Sequence, residues 1–564
     1  MVADDADAAD IGILRQGAGG GTNQLSLTPN LDGIARRGAV FTAAHAAAPL
    51  CSPSRFAILT GLRPQCTHTT TALRAAAAAA AGMTSRTPPL VSFDAAPRPS
   101  RHPTLAHRLS SLGYTTGIVG LWHLGMPHPV SKAATRRHIE EATAEKFAQA
   151  MGGRVKRAVL AEYAALQKHV KRVGGFDEAD RLYGAPLDAD DLVLPKGMSV
   201  HNVEWVADGA AQFIQDKGAP DGKPFFLYIG WTLPHGPDAD RSLKDAHMAH
   251  TPAGTWKMPK ALISVNERAR QEVRARAATA AEVFAARAAR GDKTAINYAA
   301  GFQGHNDYGA ALAWLDRGVG TVLWALQRRG IVHNTLLTFT SDHGPIDKGH
   351  CFSRATLTPL LMQWPDVLRP GAWVHEPTSL LDVAATMLHA ALDPANASLF
   401  ATPGRVAPPS AGLPSAPPLH GISLLTVAPT HLPGPPKYLQ FRSPPPPPPD
   451  YVGSRKIVCE MGHTRSLLTR SFRYVFAPVP VTKRGGAEAT QRHPGMLAVE
   501  QLYDLNDDPD EAKELIQAYR LLATPLSESE PLTRAAEVRA ADAFGNFRRA
   551  MQKDLIDVAA TCGV

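Results

Sequence analysis

Apolar positions along the chain fall into two periods up to about residue 395, and their alternation predicts a layered α/β fold. Spacings of three and four mark amphipathic helices. One runs from Thr104 to Leu112 and is stopped by Gly113. Another runs from His201 to Lys217, with Val203, Val206, Ala210, Phe213 and Ile214 on one side and Gly218 as its stop. A third, Asn306 to Gly330, carries Leu312, Leu315, Val319, Val322, Leu323 and Leu326. Short apolar or β-branched runs of strand length lie between them, at Tyr114 to Val119, Phe225 to Gly230 and Thr335 to Thr340. Upstream, Thr28 reads as a helix cap, Pro29 as the first helical residue and Gly38 as the end of the turn. Strands alternating with helices in this way predict a largely parallel central sheet.

At 564 residues the chain can bury a large core and is expected to hold more than one domain or subdomain. A main domain is expected over 1–403. It is interrupted by a low-complexity insertion at about 70–103, with Ala75 to Ala81 at its centre, and by a helical insertion at about 131–172. Residues 404–449 are dominated by Pro, Gly and Ser and end in Pro444 to Pro449, which reads as an exposed polyproline linker or loop. Residues 450–564 then form a smaller domain.

Composition narrows the class further. A charged fraction of 20% and a hydrophobic fraction of 44% are ordinary for a soluble globular protein. The net charge of +8 is spread thinly, without a dense Lys/Arg block, so nucleic acid is not indicated. No apolar run approaches the roughly 18 residues needed to span a bilayer. Five cysteines in so long a chain do not make a disulfide scaffold, and their pairing is not readable. The segment Asn396-Ala397-Ser398 is a glycosylation sequon that matters only in a secreted chain. No signal segment is present, and Met1-Val2-Ala3 is short for a core strand, which usually has about five or six residues. The natural start is therefore expected to lie upstream.

Reactive groups in open α/β sheets gather beyond the carboxyl ends of the strands. Asp4-Asp5 and Asp342-His343 each follow a predicted strand, so both pairs can reach one site from distant parts of the chain. Carboxylates converging on an anionic substrate need a cation between them, and hard oxygen donors favour Ca²⁺ or Mg²⁺. Arg55 lies one helical turn after Cys51, so the two can face one side.

The stretch Cys51-Ser52-Pro53-Ser54-Arg55, running on into Phe56-Ala57-Ile58-Leu59-Thr60-Gly61, resembles the signature of the sulfatase family. Read alone, it is also a helix start, with Ser52 as cap and Pro53 at an early position. Other blocks follow in the family's order. Thr28-Pro29-Asn30-Leu31-Asp32 precedes the cysteine, and Gly120-Leu121-Trp122-His123-Leu124-Gly125 follows it, with Leu121 where the family has lysine. Then come Trp231 to Pro237, Ser341-Asp342-His343-Gly344 with Lys348-Gly349, and Leu502-Tyr503-Asp504-Leu505 with Asp508-Pro509 and Glu511. The resemblance runs from about residue 2 to about residue 515.

The resemblance implies an alkaline-phosphatase-like α/β domain with a mostly parallel sheet and a smaller C-terminal α+β domain with an antiparallel sheet. It implies hydrolysis of sulfate monoesters on a sulfated small molecule or glycan. Cys51 would be oxidised to formylglycine by a formylglycine-generating enzyme, and the hydrated aldehyde would attack sulfur. Asp4, Asp5, Asp342 and His343 would bind Ca²⁺, with Mg²⁺ as the alternative, and the softer donor His343 leaves the ion's identity more open; residue 51 would complete the shell. Arg55 would hold the hydrate, His123 would take the proton when sulfate is eliminated, and Lys348 would clamp sulfate oxygens. His235 would be the leaving-group acid, since Thr232 stands where some relatives carry a further histidine. His350, Arg354 and Arg465 read as structural or surface residues rather than substrate contacts. Family members are expected in the secretory pathway or outside the cell. A phosphomonoester or phosphonate esterase of the same superfamily and a non-catalytic glycan-binding descendant stand as alternatives.

Overall fold

The computed structural model describes residues 1–17, 26–67, 91, 95–125, 154–187, 198–220, 222–237, 242, 248–260, 267, 271, 275, 308–392, 419–428, 455–477, 500–515, 547–551 and 553. Its strands in chain order are β1 (Val2–Asp4), β2 (Ala39–Phe41), β3 (Ala44–His45), β4 (Thr115–Leu121), β5 (Glu178–Tyr183), β6 (Phe225–Pro234), β7 (Met248–Thr251) and β8 (Gly254–Lys257). They continue with β9 (Leu337–Ser341), β10 (Leu360–Gln363), β11 (Ala372–Val374), β12 (Thr378–Ser379), β13 (Ile457–Met461), β14 (Thr464–Leu468), β15 (Phe472–Phe476) and β16 (Glu500–Asp504).

Eight of these strands form one sheet in the order β11-β2-β10-β9-β1-β6-β4-β5. All neighbours are parallel except β10, which runs antiparallel to β2 and β9. This is the mostly parallel sheet that the alternating pattern predicts. The three-residue β1 is long enough to be a central strand because β6 and β9 pair with it on both sides and all its residues are buried. The apolar run predicted to end at Gly230 continues as strand to Pro234, and the run predicted to end at Val119 continues to Leu121. Both extensions carry strand backbone right up to histidines singled out in the sequence. Gly120 and Gly230 permit this close approach. A Cβ on Gly120, which has φ +86°, would lie 1.9 Å from the Gly230 carbonyl oxygen, and one on Gly230 would lie 2.2 Å from that of Leu121.

A parallel sheet must be covered by helices. One group, Pro29–Arg36, Asn202–Lys217 and Tyr308–Arg328, packs together and against β4, β6 and β10. A second group comprises Cys51–Thr60, Leu105–Ser111 and Leu381–Ala391. Thr104, expected as the first residue of its helix, is instead the cap, in a reciprocal bond pair with His107. Thr28 does not cap the Pro29 helix: its hydroxyl accepts from the Gly12 amide and donates to Asp32. The cap comes instead from the long Tyr308–Arg328 helix, where the Asp316 carboxylate accepts from the backbone amides of Asn30 and Leu31 at 3.1 and 2.9 Å. Asp316→Ala leaves those buried amides without an acceptor and should lower unfolding free energy by about 1–3 kcal/mol in a urea titration.

The four strands β13 to β16 form a separate antiparallel sheet. It is fastened to the main body by a buried ion pair and by hydrogen bonds. Glu460 on β13 meets Arg63 and accepts from the Gln65 amide, while Arg473 on β15 meets Glu511 and donates to the Cys351 carbonyl. Part of the proline-rich stretch returns to the main body, where Leu424 and Leu425 are buried in its core. Within the expected helical insertion, a helix spans Arg154–Gly174. The alanine tract Ala75 to Ala81, the Asn396 sequon, the prolines Pro444 to Pro449 and Cys562 lie outside the described residues.

Candidate active site

Four adjacent strands, β9, β1, β6 and β4, deliver side chains at their carboxyl ends: Asp342-His343, Asp4-Asp5, His235 and His123. Asp5 and His123 sit at φ +67° and +48°, a left-handed conformation that is uncommon for residues other than glycine. Such conformations persist when their surroundings fix them. The Asp5 amide donates to Asp342 Oδ1 at 3.3 Å, and the Ala6 amide donates to Ser341 Oγ at 2.8 Å. The Tyr308 hydroxyl donates to the Asp5 carbonyl at 3.3 Å and accepts from the Asp7 amide at 3.0 Å. Tyr308 and Ser341 were invisible as site residues in the sequence, although Ser341 directly precedes Asp342.

Cys51 opens a ten-residue helix that is buried at every position. The cap position belongs to Leu50, not Ser52. Ser52 lies inside the first turn, and its hydroxyl bonds both the amide and the carbonyl of Ala95. The Cys51 sulfur reaches Asp4 Oδ1 at 3.4 Å and His343 Nε2 at 3.1 Å. Burial, then Asp4 and Asp342, push its thiol well above the usual cysteine range. As a plain thiol it is therefore a poor nucleophile.

Arg55, one turn on, is wholly buried and faces the same cluster. Its Nε lies 3.0 Å from Asp342 Oδ2, while NH2 lies 3.4 Å from Asp4 Oδ2 and donates to the Ala3 carbonyl. NH1 donates to the Tyr228 hydroxyl at 3.4 Å, a further contact that the sequence did not announce. Burial opposes its charge, yet Asp342, Tyr228 and Asp4 hold the guanidinium protonated.

Asp4, Asp5, Cys51 and His343 each offer a donor atom within 4.8 Å of the others. Asp4 Oδ2 and both oxygens of Asp5 are buried: Asp4 Oδ2 meets Arg55 at 3.4 Å, Asp5 Oδ1 lies 3.4 Å from His343 Nδ1, and Asp5 Oδ2 meets Lys348. A carboxylate oxygen keeps a lone pair free beside one such contact, so these groups can also ligate a divalent ion. Burial, then the nearby Asp342, push Asp4 up to about 8. The donor set fits a divalent ion. Asp342 is engaged differently from the other acids: Oδ1 accepts from the Asp5 and His343 amides, and Oδ2 faces Arg55. Burial would raise its carboxyl, but His343 and Arg55 hold it below the ordinary range.

The remaining sequence candidates arrive at the same place. Lys348 pairs with Asp5 Oδ2. The His235 amide donates to the Asp4 carbonyl at 3.0 Å, and its Nε2 lies 3.8 Å from Asp5 Oδ2. Burial, then Arg55, push His123 down to about 3, so its imidazole is neutral at physiological pH. Arg354 bonds Asp510, and Arg465 is buried against Glu460 and Gln65.

The family model for sulfatases matches residues 2–393, which include every one of these site residues. The chain is a member of the sulfatase family. Among curated relatives, it is 28% identical to the steryl-sulfatase of Mus musculus over 456 residues, 69% of this chain and 60% of that protein. It is 24% identical to arylsulfatase A of Homo sapiens over 402 residues, 69% of this chain and 62% of the relative. The matched region thus spans somewhat less than two thirds of these relatives. A solved structure described as a complex with its substrate, D-glucosamine-2-N,6-O-disulfate, superposes at a TM-score of 0.50 and 16% identity, covering 98% of this chain and 97% of the other. At that identity the likeness bears on the fold, which is that of a sulfatase. No helix among the described residues is long and apolar enough to cross a membrane.

Proposed function

We propose that this sulfatase hydrolyses sulfate monoesters, R–O–SO₃⁻ to ROH and sulfate, through a formylglycine made from Cys51. The observation that carries this reading is the position of Cys51. It opens a buried helix, with its sulfur against Asp4 and His343 and within one turn of Arg55. A formylglycine-generating enzyme is the expected maturation partner. When oxidised and hydrated, residue 51 supplies a diol, one hydroxyl of which attacks sulfur while the other later expels sulfate.

The protein's own groups are suited to the surrounding tasks. Arg55 stays charged and spans Asp4 and Asp342, which orients the nucleophile's neighbours. Lys348 brings a cation that can stabilise developing negative charge on sulfate. His235, whose Nε2 lies 3.8 Å from Asp5 Oδ2, would serve as the proton donor to the departing alcohol. His123, neutral because of burial and Arg55, would take the proton when sulfate is eliminated. Asp4, Asp5 and His343 would hold the divalent ion, Ca²⁺ or Mg²⁺, with Asp342 behind them; when bound it supplies positive charge next to the nucleophile.

Sulfate rather than phosphate is favoured by the Cys-x-Pro-x-Arg core, since an unmodified phosphoesterase has no need of Cys51. The substrate class is a sulfated small molecule or glycan, and the named relatives and the substrate complex support that breadth. Cys66 is held in a disulfide, which fits a secretory or extracellular setting. The deciding experiment measures the mass of the peptide containing residue 51 alongside hydrolysis of paired aryl sulfate and aryl phosphate esters. Formylglycine with faster sulfate turnover supports the reading, and an unmodified thiol in active protein sinks it.

The ion site makes its own prediction. Saturating Ca²⁺ should stabilise the protein against heat, by about 2.7 kcal/mol at a hundred times Kd. Asp5→Asn removes a carboxylate from the donor set and should abolish that calcium-dependent shift in a melting assay.

A further inference from the structure

A second pair of sulfur atoms lies behind the start of the Cys51 helix. Cys351 and Cys459 are both free thiols and both buried. Their side chains pack together in one cluster with Met461 and Leu50. Leu50 is the cap of the Cys51 helix. Cys351 follows Lys348 closely on its loop, and Cys459 lies on β13 of the C-terminal sheet. The contact therefore joins the two sheet-bearing units of the molecule next to the reactive centre.

We propose that Cys351 and Cys459 are a redox pair that closes into one disulfide and locks the Lys348 loop to the C-terminal sheet. The backbone around both residues is already anchored. The Gly349 amide donates to the Pro49 carbonyl at 3.0 Å, and Arg473 NH1 donates to the Cys351 carbonyl at 2.8 Å. The Glu460 amide donates to the Ala47 carbonyl at 2.9 Å. Cys51 does not compete, because its sulfur faces Asp4 and His343.

The oxidant is a small disulfide. One protein thiol loses its proton and attacks a sulfur of that disulfide, forming a mixed disulfide and releasing one small thiolate. The second protein thiol, deprotonated in turn, attacks the protein sulfur and expels the other small thiolate. The two protons end on the two released thiols, and two electrons pass from the cysteines to the small disulfide, which is reduced. Because the cysteines are buried, exchange in the folded state is slow, and the bond forms as the chain folds or opens locally. A crosslink between positions so distant in sequence restricts the unfolded chain strongly.

The test uses the full chain refolded with oxidised or with reduced glutathione, followed by peptide mapping without reduction and by thermal melting. The oxidised sample should yield Cys351 and Cys459 peptides joined and lighter by two hydrogen atoms, and it should melt at a higher temperature than the reduced sample. Cys459→Ser should remove the joined peptide and, compared under the same oxidising conditions with the Cys66 disulfide intact, melt lower than the unaltered chain. Cys351→Ser, expected to behave alike, serves if the first variant fails to fold. Recovery of both as free thiols, or as separate glutathione adducts, overturns the pair; a joined peptide without a melting shift overturns the locking role. Neither readout needs turnover, so the outcome is independent of sulfate-ester hydrolysis.

Discussion

Cys51→Ala abolishes turnover of an aryl sulfate, by roughly 10⁵–10⁶-fold, the scale on which removal of a covalent nucleophile acts. The alanine variant should fold, because the lost sulfur contacts only Asp4 and His343 within hydrogen-bonding reach, while the helix keeps its apolar anchors Phe56, Ile58 and Leu59. Cys51→Ser separates two chemistries. If the thiol itself were the nucleophile, serine would slow a cycle that could still continue. If a diol is required, serine is sulfated once and stops, because it has no second hydroxyl with which to expel sulfate. Single-turnover kinetics with mass analysis of the residue 51 peptide distinguishes the two. The structure already weighs against a reactive thiol, since burial and two carboxylates push its ionisation well above the usual range. Normal turnover by a chain whose Cys51 remains a thiol would overturn the mechanism.

The positions of strands and helices were legible because each buried segment has one period. Leu312, Leu315, Val319, Val322 and Leu326 fall on the buried side of the Tyr308–Arg328 helix. Motif blocks after β1, β4, β6 and β9 also pointed to candidates, because a parallel sheet carries the ends of its strands to one edge and these motifs sit at those ends. What could not be read was the long-range hydrogen bonding. Asp316 caps the Pro29 helix from a remote part of the chain, and nothing in the local pattern Thr28-Pro29 distinguishes a capping threonine from one already engaged with Gly12 and Asp32. Tyr308 and Tyr228 were hidden for a related reason. A tyrosine at a helix start or in a strand reads as core, and only the fold shows that one hydroxyl fixes Asp5 and the other meets Arg55. The short β1 shows how context overrides length: two flanking strands supply the pairing that three residues could not secure alone.

Leu121→Lys should raise kcat by about 10²–10³, the range over which one preorganised donor to a developing oxyanion acts. Leu121 is the last residue of β4, fully buried, and stands two positions before His123. In the family a lysine at this place donates to the formylglycine hydroxyl and to a sulfate oxygen. Leucine keeps the bulk and the strand packing and offers neither donor nor charge. Arg55 and Lys348 remain as cations of the site, so substrate binding loses less than the chemical step, and KM should change much less than kcat. Burying an ammonium costs stability unless it is paired. Melting curves of the variant check that the new charge is accommodated, and steady-state kinetics then reports its effect. An unchanged or lower kcat in a folded, formylglycine-bearing Leu121→Lys protein would mean that the site has been rebuilt around leucine and that another group stabilises the sulfate oxygen.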